Sequence, residues 1–400
     1  MGATCCKEQE ELDFSQGPEL GHFQLLKIIG QGVYGKVRIV QHKKTKKQYA
    51  LKYIDKSICI KQKAIANVIL ERHLLERIDH PFIANLRYAF QDDETLFMAL
   101  DLMLGGDLRF HLHQQLRPHE GQVRHQVACI ALSLNYLHKT NIIHRDIKPE
   151  NILLDQKGYA HLSDFNIAIQ FDPSQPLIWS MAGTMAYMAP EMLARKGYST
   201  QVDWWSLGVV MFELLFQKRP FVASTKEALI HAILHDPLVF PNEIISRECR
   251  DILTGLLDKS PFHRLDFEDV KYHPWFRGFD WGLLEHKQLT PPIRPDKKNH
   301  KLRMMNYKEF QEDGLKSHKR TSVIRTSFDA DSSPVTMEAR YRMQLEDEFL
   351  NYDYTHHQMA EQAGGHFSSF LEQRRNSLKR QYDRFKRRSQ SSYHDLMISE

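Results

Sequence analysis

Four hundred residues, 42% hydrophobic and 26% charged, suffice for two or three folding units, or one large bilobal domain with tails, whose core needs no disulfide or metal staple. No apolar run approaches the ~20 residues of a bilayer span and no charged-then-apolar leader follows Met1, so neither a membrane-spanning nor a secreted chain is expected. A net charge of +4 is too mild to argue for nucleic acid, and five cysteines without a CxxC pair argue against a disulfide framework or a zinc site and for a reducing compartment.

Residues 1–21 are polar apart from Met1-Gly2-Ala3-Thr4-Cys5-Cys6. A strand pattern begins at Phe23, passes Gly30 and resumes at Val37 to Val40; the basic stretch Lys43 to Lys47 reads as a turn before a strand from Gln48 to Ile54. Helical spacing of Ile65, Val68, Ile69, Arg72, Leu75 and Ile78 predicts a helix over 61–78, and two further strands are expected at 84–90 and 95–102. After Gly105-Gly106 helical patterns dominate, at 120–139, 202–217, 225–234 and 246–257. The folded pattern ends near Trp275-Phe276, and a Pro-rich stretch then leads into polar, Ser/Thr-rich sequence. This divides the chain into an N-terminal segment 1–21, a folded region 22–276 (sheet lobe 22–104, helical lobe 105–276), a tail 277–355 and a basic, flexible end 356–400.

Gly30-Gln31-Gly32-Val33-Tyr34-Gly35-Lys36-Val37 lies between two predicted strands. Glycines let a backbone turn tightly and bring its N–H groups against phosphate, although a plain hairpin turn can look the same. Further on, Lys52 sits in a mostly apolar strand and needs a counter-charge, which Glu71 on the predicted helix can supply while the lysine holds phosphates. Then follow His144-Arg145-Asp146-Ile147-Lys148-Pro149-Glu150-Asn151, Asp164-Phe165-Asn166, Met188-Ala189-Pro190-Glu191 and Asp203-Trp204-Trp205-Ser206-Leu207-Gly208. In order and spacing these strings resemble the eukaryotic protein-kinase domain over essentially all of residues 22–276.

The resemblance implies an α+β, bilobal protein-kinase fold: an N-terminal antiparallel sheet lobe with one main helix, and a mostly helical C-terminal lobe. It implies ATP and Mg²⁺ as cofactors and proteins bearing Ser or Thr as substrates. Catalysis would fall to Asp146, which orients the acceptor hydroxyl and takes its proton, with Lys148 and Lys52 neutralising phosphate charge. Gly30, Gly32, Gly35, Val37, Ala50, Lys52, Glu71, Asp101, Met103, Asp107 and Leu153 would frame the nucleotide, with Leu100 behind the adenine. Asn151 and Asp164 would hold the metal, oxygen ligands that suit a hard cation. Glu191 is expected to pair with Arg264, and Asp203 to brace the catalytic loop. Ser180 matches the activation-loop phosphosite, Arg145 its partner, and Thr184 is expected beside Asp146. Asn166 stands where the family has glycine; asparagine is the next most tolerant of left-handed backbone, so altered flexibility is expected rather than lost chemistry.

The tail narrows the resemblance to the AGC group. Pro291-Pro292-Ile293-Arg294-Pro295 and the segment around Tyr307 have counterparts there, and Phe349-Leu350-Asn351-Tyr352-Asp353-Tyr354 looks like the hydrophobic motif that props the Glu71 helix, unless it is merely an aromatic cluster in a loose tail. Ser333-Pro334 is a weak turn-motif candidate. Asp-Phe-Asn, Gly105-Gly106-Asp107-Leu108-Arg109 and the Met-Gly start together resemble the YANK kinases. Asp107, Glu150 and Glu213 fall where basophilic relatives read arginines ahead of the acceptor, implying substrates preceded by Arg or Lys. Acylation of Gly2, Cys5 and Cys6 would place a cytoplasmic enzyme at the plasma membrane. Residues 374–388, eight basic and one acidic, read as a lipid-binding stretch, a nuclear signal or a solvated tail. Nucleic-acid binding is not expected, for want of a folded module, and a monomer is. The competing reading is a nucleotide-binding pseudokinase scaffold, against which stand Lys52, Glu71, Asp146, Asn151 and Asp164, all present.

Overall fold

The computed structural model describes residues 18–31, 35–62, 64–114, 118–242, 245–293, 295 and 352–355. Gly2, Cys5, Cys6, Gly32, Tyr307, Ser333, Phe349 to Asn351 and the basic stretch 374–388 lie outside them.

Strands β1 (Phe23–Gln31), β2 (Gly35–His42) and β3 (Gln48–Asp55) form an antiparallel meander, as the β-branched and aromatic alternation predicts. Gly35 is required at the head of β2, because a Cβ there would stand 1.9 Å from the Tyr53 carbonyl oxygen. The expected single helix over 61–78 is instead two, α1 (Lys56–Lys61) and α2 (Ile65–Arg77). The cause is an early start signal: Asp55 accepts the N–H groups of Ser57 and Ile58 at 2.7 and 3.2 Å and nucleates a first turn that buries Cys59. Strands β4 (Leu86–Gln91) and β5 (Thr95–Asp101) complete the main sheet, whose order is β1-β2-β3-β5-β4. One sheet face packs on Leu20, Phe23, Tyr49, Tyr88 and Phe90, and α2 covers the other with Val68, Leu74 and Leu75.

The helical lobe opens with α3 (Leu108–His113) and α4 (Glu120–Lys139). Val123, Val127, Ile130, Leu134 and Leu137 recur on one face of α4 and are all buried. Two small antiparallel ladders follow, β6 (Ile142–Ile143) with β9 (Ile169–Gln170) and, nested between them in the chain, β7 (Ile152–Leu154) with β8 (Ala160–Leu162). This nesting decides where the chemistry lies. The loop 144–151 joins β6 to β7 and the loop 163–168 joins β8 to β9, so pairing the strands sets the two loops side by side. Helices α5 (Pro190–Leu193), α6 (Gln201–Phe216), α7 (Lys226–His235), α8 (Arg247–Leu256), α9 (Phe267–Tyr272) and α10 (Trp281–Glu285) make the rest of the lobe. α6 is buried on all sides, with Trp204 and Trp205 at its start. From the tail, β10 (Tyr354–Thr355) joins the main sheet beside β4. No helix among the described residues is long and apolar enough to cross a membrane.

Candidate active site

β3 and α2 position the first half of the site. Lys52 pairs across the sheet with Val37 and Met98, and its Nζ reaches both carboxylate oxygens of Glu71 at 2.7 and 2.9 Å. Burial works against the Lys52 charge, but Glu71 and Asp164 outweigh it and hold the ammonium pKa above its ordinary value. The third donor of Lys52 goes to Asn166 Oδ1 at 2.9 Å, a contact the sequence reading missed. Asn166 is not left-handed; the left-handed residue of its segment is Asp164, at φ 64°. The departure from glycine therefore supplies a hydrogen-bond acceptor to Lys52, rather than tolerance of an unusual dihedral. Phe165 beside it is buried edge-on against His144, ring centroids 4.9 Å apart.

The catalytic loop forms the second half. Asp146 Oδ2 accepts from Lys148 Nζ at 2.6 Å and from Asn151 Nδ2 at 3.0 Å, while Oδ1 accepts from the Thr184 hydroxyl at 2.7 Å and its N–H at 3.1 Å. Burial raises the Asp146 pKa, but Lys148 and Thr184 more than offset this and hold it below the usual carboxylate value. Lys148 Nζ also donates to Thr184 Oγ1 at 3.0 Å. Thr184 thus stands beside Asp146 as expected.

Asp203, fully buried, braces the loop from α6 by accepting the N–H groups of His144 and Arg145 at 3.0 and 2.9 Å. His138 Nε2 lies 2.9 Å from the same carboxylate, a brace that no local pattern in the chain marks. These bonds hold Arg145 at φ 68°, a left-handed strain of about 1–2 kcal/mol for a non-glycine residue. The His144 ring accepts the Asp146 N–H at Nδ1 and so donates from Nε2 to the Ser163 carbonyl at 3.1 Å. Burial keeps this imidazole neutral, its pKa lowered. Arg145 Nη1 donates to Ser180 Oγ at 2.9 Å, placing the expected phosphosite within reach of its guanidinium.

Asn151 spends its amide N–H₂ on Asp146, leaving its oxygen for another partner, and the Asp164 carboxylate is exposed and accepts no hydrogen bond among the described residues. One amide oxygen and one carboxylate fit a hard divalent cation that takes its other ligands from phosphates and water. No cluster of three or more His, Cys, Asp or Glu able to hold a metal occurs among the described residues.

Val37, Ala50, Leu100 and Leu153 are half-buried, with Ala50 and Leu100 directly paired between β3 and β5, and Asp107 bridges Leu153. Gly30 faces Val37 across the β1–β2 hairpin. Asp101 contributes backbone rather than side chain to this wall, since its carboxylate is clamped by Arg87 at 2.7 and 2.6 Å. Met103 lies in the irregular stretch between β5 and Gly105. The Asp107 side chain caps α3, accepting the Phe110 N–H at 2.7 Å.

Glu191 and Arg264 pair at 2.6 and 2.9 Å as expected. Glu150 and Glu213, expected to await a substrate's arginine, are instead both engaged by Arg109 of the chain itself. On α2, buried Arg72 donates to the Asp353 carbonyl at 3.1 Å and lies 5.7 Å from the Tyr354 ring, while Tyr352 is buried. The described end of the tail therefore packs on the helix that carries Glu71.

The protein kinase domain profile matches residues 23–276. A probable serine/threonine-protein kinase of Dictyostelium discoideum is 38% identical over 319 residues, 79% of this chain and 69% of that protein. Serine/threonine-protein kinase 32B of Homo sapiens is 42% identical over 299 residues, 72% of this chain and 70% of that protein. Serine/threonine-protein kinase 32C of Homo sapiens is 42% identical over 298 residues, 72% of this chain but only 60% of that longer protein. Enzymes of this family use ATP with a divalent metal and phosphorylate proteins on hydroxyl side chains. With a cleft that brings Lys52, Glu71, Asp146, Asn151 and Asp164 together, the chain belongs to the protein kinase family as a serine/threonine kinase most like the YANK kinases.

Proposed function

We propose that Asp146 orients the acceptor hydroxyl of a protein serine or threonine and takes its proton as the γ-phosphate of ATP is transferred. What carries the reading is the Asp146 carboxylate, fixed between Lys148 at 2.6 Å and Thr184 at 2.7 Å. A carboxylate so held is ionised and pre-aimed, so little reorganisation is needed at the moment of transfer. Lys148, fixed in the same web, neutralises charge on the transferring group, and Lys52, held by Glu71, holds the other phosphates. Gly30 and Gly35 would bring backbone N–H groups to the phosphates, a role the glycine string also assigns to Gly32, which lies outside the described residues; Val37, Ala50 and Leu153 would hold the base, Asp101 and Met103 would form the hinge, and Asp107 would lie near the ribose. Asn151 and Asp164 would hold Mg²⁺, which when bound neutralises phosphate charge. The test is phosphate transfer against Mg²⁺ concentration, in wild type and Asn151→Ala. A higher Mg²⁺ requirement in the variant supports the assignment, and an unchanged curve overturns it.

We also propose that the enzyme works as a monomer in the cytoplasm and reaches the membrane through acyl groups on Gly2, Cys5 and Cys6, assisted by the basic stretch 374–388. The support is chemical: one myristoyl chain holds a membrane marginally, and adjacent cysteines offer the second chain that stable anchoring requires. Fractionation of cells expressing wild type or Gly2→Ala tests this; equal soluble fractions overturn it.

A further inference from the structure

Arg109, on α3, occupies the ground between the catalytic loop and α6. Its Nε donates to Glu150 Oε1 at 2.8 Å and its Nη1 to Glu213 Oε1 at 2.7 Å. Nη2 reaches the Tyr187 hydroxyl at 2.5 Å and, more distantly, Glu213 Oε2 at 3.4 Å. Tyr187 in turn donates to Glu213 Oε2 at 2.6 Å, so both oxygens of Glu213 are occupied by the chain's own donors. The site is at the surface, not sealed: the side chains of Arg109 and Glu150 retain 25% and 44% of their exposure, while Glu213 retains 8%. Asp107, the other acidic residue beside this ground, caps α3 by accepting the Phe110 N–H at 2.7 Å.

We propose that Arg109 is a resident occupant of the acidic subsite beside the phosphoacceptor, so that this kinase does not select an arginine there and phosphorylates substrates lacking basic residues ahead of the serine or threonine. The inference rests on the kinase reading above and names the substrate class that follows from it. An arginine within the chain meets the two carboxylates at the effective concentration of a tethered ligand, typically about millimolar or more, which a substrate must overcome. A guanidinium fork that binds both glutamates at once matches their geometry in a way a lysine would not. A second guanidinium brought to the same pair would also sit against the first, and like charges at such range repel. Only the outer oxygen of Glu150 remains for a visiting cation.

The full chain is assayed against serine peptides carrying arginine or alanine at each of the five positions before the acceptor, and the arginine-to-alanine ratio of kcat/KM is read for each enzyme. Because each ratio compares two peptides on one enzyme, a general loss of activity in a variant does not enter. Wild type is expected to show a ratio within about threefold of unity at every position. Arg109→Ala is expected to raise the ratio at one position by about tenfold or more, the size of one charge-assisted hydrogen bond of ~1.5 kcal/mol, and Arg109→Lys to fall between. Should Arg109→Ala not fold, Glu150→Gln in an otherwise wild-type chain decides: the inference requires its ratios to match wild type. A wild-type ratio of tenfold or more that Glu150→Gln abolishes, or a folded Arg109→Ala with unchanged ratios, overturns the proposal. Absence of transfer to every peptide, alanine peptides included, overturns instead the kinase reading on which it rests.

Discussion

Each lobe contains a glutamate paired with a cation out of bulk water, Glu71 with Lys52 and Glu191 with Arg264, and these two pairs are built to different ends. In the helical lobe Arg264 is enclosed: it forks onto Glu191 at 2.6 and 2.9 Å, donates to the carbonyls of Asp258 and Gln201, and lies 5.2 Å from the Trp205 ring. In the sheet lobe Lys52 faces the cleft with 18% of its side chain exposed, and its remaining donor goes to Asn166, a residue of a different loop. The first pair has each guanidinium nitrogen bonded to fixed partners, its arginine has no exposed side-chain surface, and it fastens α5 to the rest of its lobe. The second has partners on two segments, so its full set of bonds is made only while α2 and the 164–166 loop are both in place. A buried ion pair serves as structure when it is closed, and as machinery when one side remains open to a ligand.

The comparison predicts that removing the two cations differs in its effect on catalysis. Arg264→Met should cost about 3–5 kcal/mol of stability by stranding Glu191 in the interior, read as a shifted denaturation midpoint. Lys52→Met strands a glutamate as well, Glu71 being 2% exposed, so it too should lose stability, but unlike Arg264→Met it should lower phosphate transfer by roughly 10²–10³-fold in the folded enzyme. Equal loss of transfer per folded molecule in both variants would erase the distinction. Acid should weaken the fold gradually. Burial lowers the His80 and His125 pKa values to about 4 and lowers that of His144, so each stays neutral in the folded chain and charges on unfolding. Their contribution is whole above the ordinary histidine value of ~6.5 and drains as pH falls toward the folded values, at about 1.4 kcal/mol per pH unit for each. Asp203 has the same sign in a lower window: burial raises its pKa, but His138 more than offsets this, so its contribution persists until pH falls below the ordinary aspartate value of ~3.9. Denaturation midpoints at pH 7, 6 and 5 check this, and a flat series contradicts it. Smallest is Asn166→Gly, which removes one acceptor from Lys52; transfer should survive with kcat/KM for ATP changed by about tenfold or less. Loss of all transfer in that variant would make Asn166 a catalytic necessity.

How much of this was legible in the chain depended on the range over which each group finds its partner. Asp146, Lys148, Asn151 and Asp164 could be read because they recur in short strings, and the glutamate for Lys52 because an apolar strand leaves a lysine in need of one. The sheet lobe followed from alternation, although the separate turn of α1 was lost because one continuous helical spacing absorbed the Asp55 cap. The role of Arg109 is hidden in the sequence for a different reason. Glu150 and Glu213 were visible as acids awaiting a cation, but the guanidinium that meets Glu213 lies 104 residues away, and no local pattern marks such a contact. Asn166 was read for its backbone, while its side chain proved the informative part, again through a partner 114 residues distant.

The central claim is that the fixed Asp146 carboxylate carries the transfer chemistry. The direct measurement is transfer of labelled γ-phosphate from ATP–Mg²⁺ to serine peptides, for wild type and Asp146→Asn, with nucleotide-induced shift in melting temperature read on both. Transfer by wild type that falls by roughly 10²–10⁴-fold in the variant, with the nucleotide shift retained, is the predicted result. Equal transfer by the two proteins, or a nucleotide shift without transfer in wild type, would contradict it.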